Sequence, residues 1–515
     1  MEFTSTRAKK SITASKAICQ GISEEGGLFV PGSFPKISED KIKAMLDMDY
    51  KQRAVEVLSL YLTDFTADEI EYCVNGAYTG TFDNEQPAPL ASIEGYANIL
   101  ELWHGPTCAF KDMALQLLPF LLTTSAKRAA KGKTMVILVA TSGDTGKAAL
   151  DGFADVENTK IIVFYPQDGV SPMQKLQMTT QEGSNVAVCA IKGNFDDAQT
   201  GVKRIFADND MKEYLAANSM EFSSANSINF GRLVPQIVYY VSAYCDLIKS
   251  GKIAYGEKFN VVVPTGNFGN ILAAYYAKQM GIPVGKFICA SNKNNILTDF
   301  INTGKYDRNR PFYTTTSPSM DILISSNLER LLFELYGRDE NKVSALMSAL
   351  NSDGVYEVDE AVANKLSNEF YGGCCDDEMT AATIRKMMDK YGYLCDTHTA
   401  VAIKVYDDYV EATGDKTPTV IASTASAYKF SASVLKAVCD SDIPQDEFET
   451  VDKLSSVTST PIPAPLAGLK EKKVLHTGCV DKEQMADFIK NFLKFGIIFF
   501  CQNYINIIIP RDKTF

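Results

Sequence analysis

The sequence predicts an α/β fold of two lobes, each built on a mainly parallel sheet flanked by helices. From about residue 97, short runs of apolar and β-branched residues alternate with longer segments of helical pattern. The runs are apolar at nearly every position, which indicates parallel strands covered by helices on both faces. A chain of 515 residues also exceeds what one compact core normally holds. Together these observations favour two sheets.

Six of the runs are predicted to be buried strands, each followed by a polar or glycine-containing turn and then by a helical pattern. They are residues 135–140, 160–165, 185–191, 260–264, 287–290 and 419–422. In open α/β sheets, ligands gather at the carboxyl ends of the strands. The turns that follow these strands are therefore the first places to search for a binding site.

The two ends of the chain are predicted to lie outside the lobes. Residues 1–85 mix turns with short helical patterns, and a segment with two prolines then interrupts regular structure. We therefore expect an N-terminal subdomain at 1–85 and a main region at 90–450. The proline-rich stretch 461–465 indicates a surface linker, so residues 451–515 are expected to form a C-terminal linker and tail.

Composition argues against several classes of function. The formal net charge is −12, whereas a general nucleic-acid-binding protein would carry a basic face. The twelve cysteines include no C-x-x-C pair and there are three histidines, so no bound metal is expected. We interpret the cysteines as reduced thiols of an intracellular protein.

No membrane association is predicted. The N-terminus lacks the apolar core of a signal peptide. The longest apolar run, 496–509, is interrupted by Gln502, Asn503 and Asn506, and it is shorter than the ~20 apolar residues that span a bilayer. The expected location is the cytoplasm.

The first candidate for chemistry is Lys111, which follows a Gly-Pro turn and precedes a helical pattern over 113–131. A lysine at a helix N-terminus feels the positive end of the helix dipole, so its amine form becomes more available. Such an amine suits covalent catalysis at a carbonyl group. On the local sequence alone, an exposed lysine beside a turn is the favoured alternative.

The turn after the strand at 135–140 carries Ser142, Gly143, Asp144 and Thr145. Backbone N–H groups at such a turn can bind an anion. The spacing of a nucleotide P-loop is absent, so the carboxylate or phosphate of a small molecule is the better ligand. Capping of the next helix by Ser142 or Thr145 is the structural alternative, and it is compatible with binding.

The turn after the strand at 260–264 predicts a second anion cradle, suited to a phosphate. Its two glycines permit close approach of the backbone, and a helix predicted from residue 271 directs its positive end at the loop. The cradle consists of Gly266, Asn267, Phe268, Gly269 and Asn270. One such turn is a weak indication, but two of them at strand-to-helix corners are a stronger one.

Two further segments are rich in small polar residues. Residues 223–232 contain Asn226, Ser227, Asn229 and Arg232, which can hold an anion through neutral and bidentate hydrogen bonds. A capped loop before a helix at 233–249 is an equally good interpretation. The hydroxyl-rich turn at 422–430 can serve a ring nitrogen, or it can be ordinary turn chemistry.

Taken together, these segments resemble the threonine synthase family, within the tryptophan-synthase-β-like group of pyridoxal-phosphate enzymes. The resemblance covers nearly the whole chain and favours Lys111 over the surface-lysine alternative. Its motifs are Ser5-Thr6-Arg7, residues 26–31, His104-Gly105-Pro106-Thr107 with Phe110-Lys111-Asp112, residues 140–146, residues 226–229, residues 266–270, Pro318-Ser319-Met320-Asp321 and His398-Thr399-Ala400-Val401.

The resemblance implies two lobes with pyridoxal 5'-phosphate in the cleft between them. It implies that O-phospho-L-homoserine and water give L-threonine and phosphate, in a monomer or homodimer. Lys111 would bind the cofactor covalently and move protons. Gly266, Asn267, Phe268, Gly269 and Asn270 would hold the cofactor phosphate, and Thr424 would meet the pyridine nitrogen, with Ser423 or Ser426 as alternatives. Ser142, Gly143, Asp144 and Thr145 would meet the substrate carboxylate and the cofactor edge, and Asn226, Ser227, Asn229 and Arg232 the substrate phosphate.

Three alternatives to this function stay open. A threonine-synthase-like phospholyase would degrade an amino-acid phosphate ester with the same lysine and the same phosphate loops. A non-catalytic small-anion-binding protein could use the same fold, although the intact Phe110-Lys111-Asp112 argues against it. A serine or threonine dehydratase is disfavoured, because it needs no second phosphate pocket.

Overall fold

A computed structural model of the protein describes residues 1–141, 143–168, 170–439 and 442–496. The N-terminal part consists of a two-stranded antiparallel ribbon and four helices. Its elements are β1 Phe3–Ser5, α1 Ala14–Gln20, β2 Phe29–Pro31, α2 Glu39–Met45, α3 Tyr50–Tyr61 and α4 Ala67–Tyr78.

Strands and helices alternate through the rest of the chain. The first half contains β3 Leu90–Ser92, β4 Asn98–Glu101, α5 Asp112–Leu115, α6 Leu118–Ala129, β5 Thr134–Ala140, α7 Asp144–Phe153, β6 Thr159–Pro166, α8 Pro172–Thr179, β7 Val186–Ile191, α9 Phe195–Ala207, α10 Asn209–Ala217, β8 Met220–Ser223 and α11 Phe230–Lys249. The second half contains β9 Phe259–Pro264, α12 Gly269–Met280, β10 Val284–Ser291, α13 Ile296–Thr303, β11 Lys305–Asp307, α14 Leu328–Leu335, α15 Glu340–Ser352, β12 Val355–Glu357, α16 Glu360–Glu369, β13 Phe370–Cys374, α17 Asp377–Tyr391, α18 Thr397–Thr413, β14 Thr419–Ser423, α19 Ser431–Val438, α20 Glu447–Thr458, α21 Ala464–Ala467, β15 Gly478–Val480 and α22 Met485–Phe495.

Two large sheets confirm the predicted α/β class. The six-stranded sheet has the order β13-β10-β9-β14-β4-β3, and only its edge strand β3 runs antiparallel to its neighbour. The five-stranded sheet has the order β15-β7-β6-β5-β8 and is parallel throughout. All six predicted strands are present, as β5, β6, β7, β9, β10 and β14. The domain boundaries at residues 85, 90 and 450 stay predictions.

The helix predicted over 113–131 is interrupted. The structure has α5 first, then a break at Gln116 and Leu117, and then α6, in whose first turn Pro119 lies. Proline has no backbone N–H and fits the first turn of a helix, so Pro119 favours a new start there. As a result α5 is a single turn that carries Lys111 at its N-terminus.

The prediction of a linker and tail for 451–515 is wrong for residues 451–496. β15 pairs in parallel with β7 at the edge of the five-stranded sheet. α22 packs Phe488, Ile489 and Phe492 onto the same sheet. β15 was not predicted because three residues are too few for a strand pattern. The proline-rich stretch before it favoured a linker. Residues 497–515 lie outside the described residues.

Helix α11 lies in the apolar core and carries Arg232 in its first turn. Its first sixteen residues are all buried, Arg232 included. A helix that is apolar on all sides belongs in the interior of a large protein. This burial fixes the N-terminus of α11, and with it the position of Arg232. Among the described residues, no helix is both long and apolar enough to cross a membrane.

Candidate active site

Turns from both large sheets meet around Lys111. Lys111 follows β4 of the six-stranded sheet, and Asp144 follows β5 of the five-stranded sheet. Lys111 Nζ lies 3.3 Å from Asp144 Oδ2. It also lies 3.2 Å from Ser319 Oγ, in the one-turn 3₁₀ segment Pro318–Met320. The contacts place the lysine between the two lobes, at the edge where ligands of α/β sheets bind.

Lys111 is a buried amine. Only 8% of the residue is exposed, so the surface-lysine alternative is wrong. Burial lowers the pKa of the Lys111 amine; Asp144 opposes this effect, while the positive charges of Lys429 and Arg232 add to it. A lowered pKa makes the unprotonated amine more available as a nucleophile and base.

Asp144 is shared by two lysines. Its Oδ1 lies 2.9 Å from Lys429 Nζ and accepts a hydrogen bond of 3.0 Å from Gln174 Nε2. Burial by itself would raise the pKa of Asp144, but Lys429 and Lys111 overcome it and hold that pKa well below its usual range. Lys429 Nζ also donates to the Thr107 carbonyl at 2.7 Å. The carboxylate therefore stays ionised beside Lys111, and Lys429 balances its charge.

The loop before α7 is built for close packing. Gly143 has φ +144°, and a side chain there would overlap Gln174, the residue that holds Asp144. Thr141 Oγ1 accepts hydrogen bonds from the N–H groups of Gly143 and Gly146, at 3.0 and 2.9 Å. The hydroxyl that organises this turn is thus that of Thr141, whereas the sequence pointed to Ser142 or Thr145. Thr145 is half-buried in the first turn of α7.

Ser142 lies outside the described residues. The binding roles of Ser142, Gly143 and Thr145 stay predictions, and Asp144 is the member of this group that the structure brings to Lys111.

The loop between β9 and α12 has the geometry of an anion cradle. Phe268 precedes α12 in the left-handed conformation, at φ +59°, and a side chain at Gly266 would overlap the carbonyl of Ser319. Asn270 Oδ1 accepts from the Tyr240 hydroxyl. Its Nδ2 is buried, with no hydrogen-bond partner within the described part of the chain. A buried donor without a partner is costly, so this amide fits a ligand oxygen.

Asn267 and Gly269 complete the cradle in different ways. The Asn267 side chain is exposed, and its Oδ1 accepts a 3.0 Å hydrogen bond from Ser326 Oγ. Its carbonyl accepts from Asn327 Nδ2 at 2.9 Å. Gly269 is the first residue of α12, where backbone N–H groups lack intrahelical partners. Asn267 thus ties the loop to the turn at residues 325–327.

Arg232 is a buried cation that forms no ion pair with a carboxylate within the described part of the chain. Its Nη1 donates to the Ala225 carbonyl at 2.6 Å, and no acceptor for its Nε is found among the described residues. Burial lowers the pKa of Arg232 to about 10, so the side chain is still charged at neutral pH. A buried guanidinium with an unused N–H group fits a phosphate or carboxylate.

The role predicted for Asn229 is not supported by its contacts. Asn229 Nδ2 donates to the carbonyls of Ile18 and Ser224, at 2.9 and 2.8 Å, and Oδ1 accepts from the N–H of Gly231 at 2.9 Å. The side chain therefore caps α11 and holds the loop onto α1. Asn226 and Ser227 are half-buried, and their substrate contacts stay predictions.

Among the three hydroxyls of the turn after β14, the structure favours Thr424 for a ligand. Ser423 Oγ accepts from Trp103 Nε1 at 3.1 Å and from Thr399 Oγ1 at 3.2 Å. Ser426 Oγ accepts from the N–H of Tyr428. Thr424 accepts a 2.8 Å hydrogen bond from the N–H of Phe110 through its carbonyl, and its hydroxyl makes no hydrogen bond with the described residues. Its hydroxyl is therefore the better placed of the three for a ring nitrogen.

Four residues of this site were not predicted from the sequence: Lys429, Gln174, Ser319 and His398. Ser319 and His398 lie in motifs quoted for the family resemblance, yet neither was given a role. Lys429 was visible in the hydroxyl-rich turn, but no local pattern distinguishes a buried lysine from a surface one. Gln174 belongs to α8, where it completes a capping box with Ser171.

His104 lies beside the Gly-Pro turn, between two carboxylates. Its Nδ1 is 2.6 Å from Asp83 Oδ1, and its Nε2 is 3.0 Å from Glu101 Oε2. Burial acts to lower the pKa of His104, but the hydrogen bonds that its ring donates to Glu101 and Asp83 raise it above its usual value. Both ring nitrogens donate when the imidazole is protonated, so the charged form fits this pair of acceptors.

We therefore expect His104 to stabilise the protein more at low pH than at high pH. A raised folded-state pKa contributes stability that is fully present below the unfolded value, about 6.5, and is lost as the pH rises through the folded value. Thermal unfolding of His104→Gln and of the unchanged protein should differ more at about pH 6 than at about pH 9. His476, whose pKa is lowered by burial, gives the control with the opposite trend. An effect of His104→Gln that grows with pH would contradict the assignment.

Comparison with known proteins places the whole arrangement in one family. Residues 2–78 match the profile described as threonine synthase N terminus, residues 99–424 match that of pyridoxal-phosphate dependent enzymes, and residues 399–489 match that of the threonine synthase C-terminal region. Human threonine synthase-like 1 is 41% identical over 458 residues, which cover 87% of this chain and 61% of that relative. The chain thus spans about 61% of the length of these curated relatives.

Bacterial and fungal proteins match over a larger share of their own length. Threonine synthase of Pseudomonas aeruginosa is 38% identical over 440 residues, covering 85% of this chain and 90% of the relative. The crystal structure of threonine synthase from Brucella melitensis, solved with pyridoxal phosphate bound, superposes with a TM-score of 0.84 at 36% identity and covers 95% of this chain and 99% of that one. Yeast threonine synthase superposes with the same TM-score of 0.84 at 31% identity, covering 96% and 98%. The chain therefore belongs to the threonine synthase family of pyridoxal-phosphate-dependent enzymes.

Proposed function

We propose that the protein converts O-phospho-L-homoserine and water into L-threonine and phosphate, with pyridoxal phosphate bound to Lys111. The observation that carries the proposal is a buried amine of lowered pKa together with two buried donors, Arg232 Nε and Asn270 Nδ2, that have no hydrogen-bond partner among the described residues. A reaction that uses one phosphate on the cofactor and expels another needs an amine and two anion sites. Family membership supports the same assignment.

The residues present fit the cofactor. Lys111 offers the amine for covalent attachment, and Asn270 Nδ2 with the N-terminus of α12 offers donors to the cofactor phosphate. Gly266 admits the close backbone approach that such a loop needs. Thr424 supplies a neutral hydroxyl for the ring nitrogen. When bound, the cofactor delocalises negative charge that develops at the substrate Cα.

Lys111 is the residue proposed to transfer protons. Its free amine would take the proton from Cα and then one from Cβ, and it would return one proton to Cγ, which becomes the methyl group, and one to Cα. Asp144 and Ser319, 3.3 and 3.2 Å away, orient the amine for these transfers. The Cγ–O bond breaks with the electron pair leaving on phosphate. A water oxygen bonds to Cβ, one of its protons stays in the new hydroxyl group, and the other passes to the released phosphate.

Arg232 takes the departing phosphate. Expulsion of a dianion requires fixed positive charge and hydrogen-bond donors at the place where the charge develops. Arg232 is charged, buried and already fixed by Ala225. Asn226 and Ser227, half-buried on the same loop, add neutral donors. Thr145 and the loop at Gly143 are proposed to receive the substrate carboxylate.

A related phospholyase is the second candidate function. It would share Lys111 and both anion sites. The 41% identity to proteins named threonine synthase-like 1 is the observation that favours it as an alternative. The two functions differ after loss of phosphate. A synthase adds water at Cβ, whereas a phospholyase releases a product that hydrolyses to 2-oxobutanoate.

Product analysis decides between them. The purified protein, loaded with pyridoxal phosphate, is given O-phospho-L-homoserine, and phosphate, threonine and 2-oxobutanoate are assayed together. We expect equal amounts of phosphate and threonine. Phosphate with 2-oxobutanoate would establish the phospholyase. Retention of the substrate unchanged by a protein that binds the cofactor would favour a non-catalytic anion-binding protein.

We also propose a cytoplasmic location and a monomeric or homodimeric state. Buried cysteines such as Cys19, Cys73 and Cys108 are free thiols, as in proteins of reducing compartments. Cell fractionation and sedimentation of the purified protein test the two statements separately.

A further inference from the structure

Two buried residues, Asp396 and His398, and the half-buried Ser319 connect helix α18 to Lys111. Asp396, which is fully buried, caps α18 by accepting from the N–H groups of His398 and Thr399, at 2.9 and 3.1 Å. Its Oδ2 lies 2.8 Å from His398 Nδ1. His398 Nε2 in turn lies 3.1 Å from the backbone N–H of Ser319. The path ends at Ser319 Oγ, which accepts from Lys111.

The hydrogen bonds define the state of the His398 ring. Ser319 can only donate through its backbone N–H, so Nε2 is the acceptor and carries no proton. Nδ1 then carries the proton and donates a hydrogen bond to Asp396, which fixes the neutral tautomer. The ring is 2% exposed and packs against Phe430, with centroids 4.8 Å apart. Both its rotation and its tautomer are therefore held in place.

Three groups of Ser319, its N–H, its carbonyl and its hydroxyl, each contact a different part of the site. Its N–H donates to His398, its carbonyl lies where a side chain at Gly266 would be, and its hydroxyl contacts Lys111. The turn Pro318–Met320 thus packs between the phosphate cradle and the lysine. A displacement of the turn would therefore change its contacts with both.

The other end of this segment is anchored independently. Asp321 Oδ1 accepts from Asn292 Nδ2 at 2.8 Å, from Asn294 Nδ2 at 3.0 Å and from Thr315 Oγ1 at 2.8 Å. Loss of the His398 contact would therefore leave the segment attached to the body through Asp321. The expected consequence is a loosened Ser319, and the segment itself stays folded.

We propose that Asp396 and His398 are positioning residues, which hold Ser319 so that its hydroxyl orients the Lys111 amine for attack on the cofactor and for proton transfer. The inference rests on the proposed function only in taking Lys111 as the cofactor lysine. Reaction geometry that is loose by about 1 Å can cost about a hundredfold in rate, so a modest movement of Ser319 is measurable.

The test measures covalent capture of pyridoxal phosphate by the apoprotein in the absence of substrate. The rate of capture is followed by absorbance after mixing, for His398→Leu, His398→Gln and the unchanged protein. Leucine removes the acceptor, whereas the glutamine carbonyl oxygen can reach the position of Nε2. We expect His398→Leu to slow capture about tenfold and His398→Gln to restore it to within about threefold.

Thr397 offers a matched control on the same turn of α18. Its hydroxyl is buried and has no partner among the described residues, so Thr397→Val should leave the capture rate unchanged. If His398→Leu fails to fold, Ser319→Ala replaces it and should slow capture by a similar factor. In the double variant the two effects should not add, because they act through one path.

The two proposals fail separately. Equal capture rates for His398→Leu and the unchanged protein, or a glutamine variant as slow as the leucine variant, would overturn the positioning role. Normal capture effects without formation of threonine would leave the positioning role intact and overturn the proposed function. Failure of the unchanged protein to capture the cofactor would overturn both.

Discussion

Replacement of Lys111 by alanine is expected to abolish covalent attachment of pyridoxal phosphate and to lower turnover by at least about a thousandfold. The amine is buried between Asp144 and Ser319, and its pKa is lowered by burial and by neighbouring cations. Alanine removes the nucleophile and the base together. Attachment is measured by reducing the loaded protein with borohydride and locating the labelled peptide by mass spectrometry.

Lys429 is the internal control for this experiment, because it is also buried and pairs with the same carboxylate. Its peptide should stay unlabelled in the unchanged protein and in Lys111→Ala. A label on Lys429, or full turnover by Lys111→Ala, would contradict the assignment of Lys111.

The second large effect is expected from Asp144→Asn. Lys429 has essentially no side-chain exposure, and the substitution would leave its charge without the carboxylate that balances it. Breaking a buried ion pair from one side typically costs about 3–5 kcal/mol, so we expect a large fall in the thermal unfolding midpoint of the apoprotein. The amine of Lys111 would also lose a hydrogen-bond acceptor.

A double variant separates loss of the pair from loss of the carboxylate. Asp144→Asn combined with Lys429→Met removes both charges, so its unfolding midpoint should lie well above that of Asp144→Asn alone. Cofactor capture should stay impaired in the double variant, because Lys111 still lacks Asp144. A double variant that is less stable than either single variant would show that Lys429 is not balanced by Asp144.

The fold was largely predictable, because its central strands are apolar at successive positions and that pattern is local. β5, β6, β7, β9, β10 and β14 all have this property. β8, β13 and β15 do not, since they are only three to five residues long and include polar residues or glycines. These strands are recognisable only once a neighbouring strand offers a partner, and that information is not local.

The site was predictable where a turn follows a strand and unpredictable where partners come from distant segments. The cradle at Gly266 lies in such a turn, whereas Lys111 was favoured only through the family resemblance. Lys429 and His398 reach the site from more than 280 residues beyond Lys111 in the sequence. Asn229 shows the opposite difficulty: a small polar residue before a helix looks the same whether it binds a ligand or caps the helix, and here it caps α11.

The central claim is that the Cγ–O bond of the substrate breaks and that water supplies the new hydroxyl group. Turnover of O-phospho-L-homoserine in water labelled with heavy oxygen tests it directly, with mass spectrometry of both products. The account predicts threonine that carries the heavy oxygen in its hydroxyl group and phosphate that carries none at the time of release. Heavy oxygen in the phosphate, together with unlabelled homoserine, would show cleavage of the P–O bond and would contradict the account.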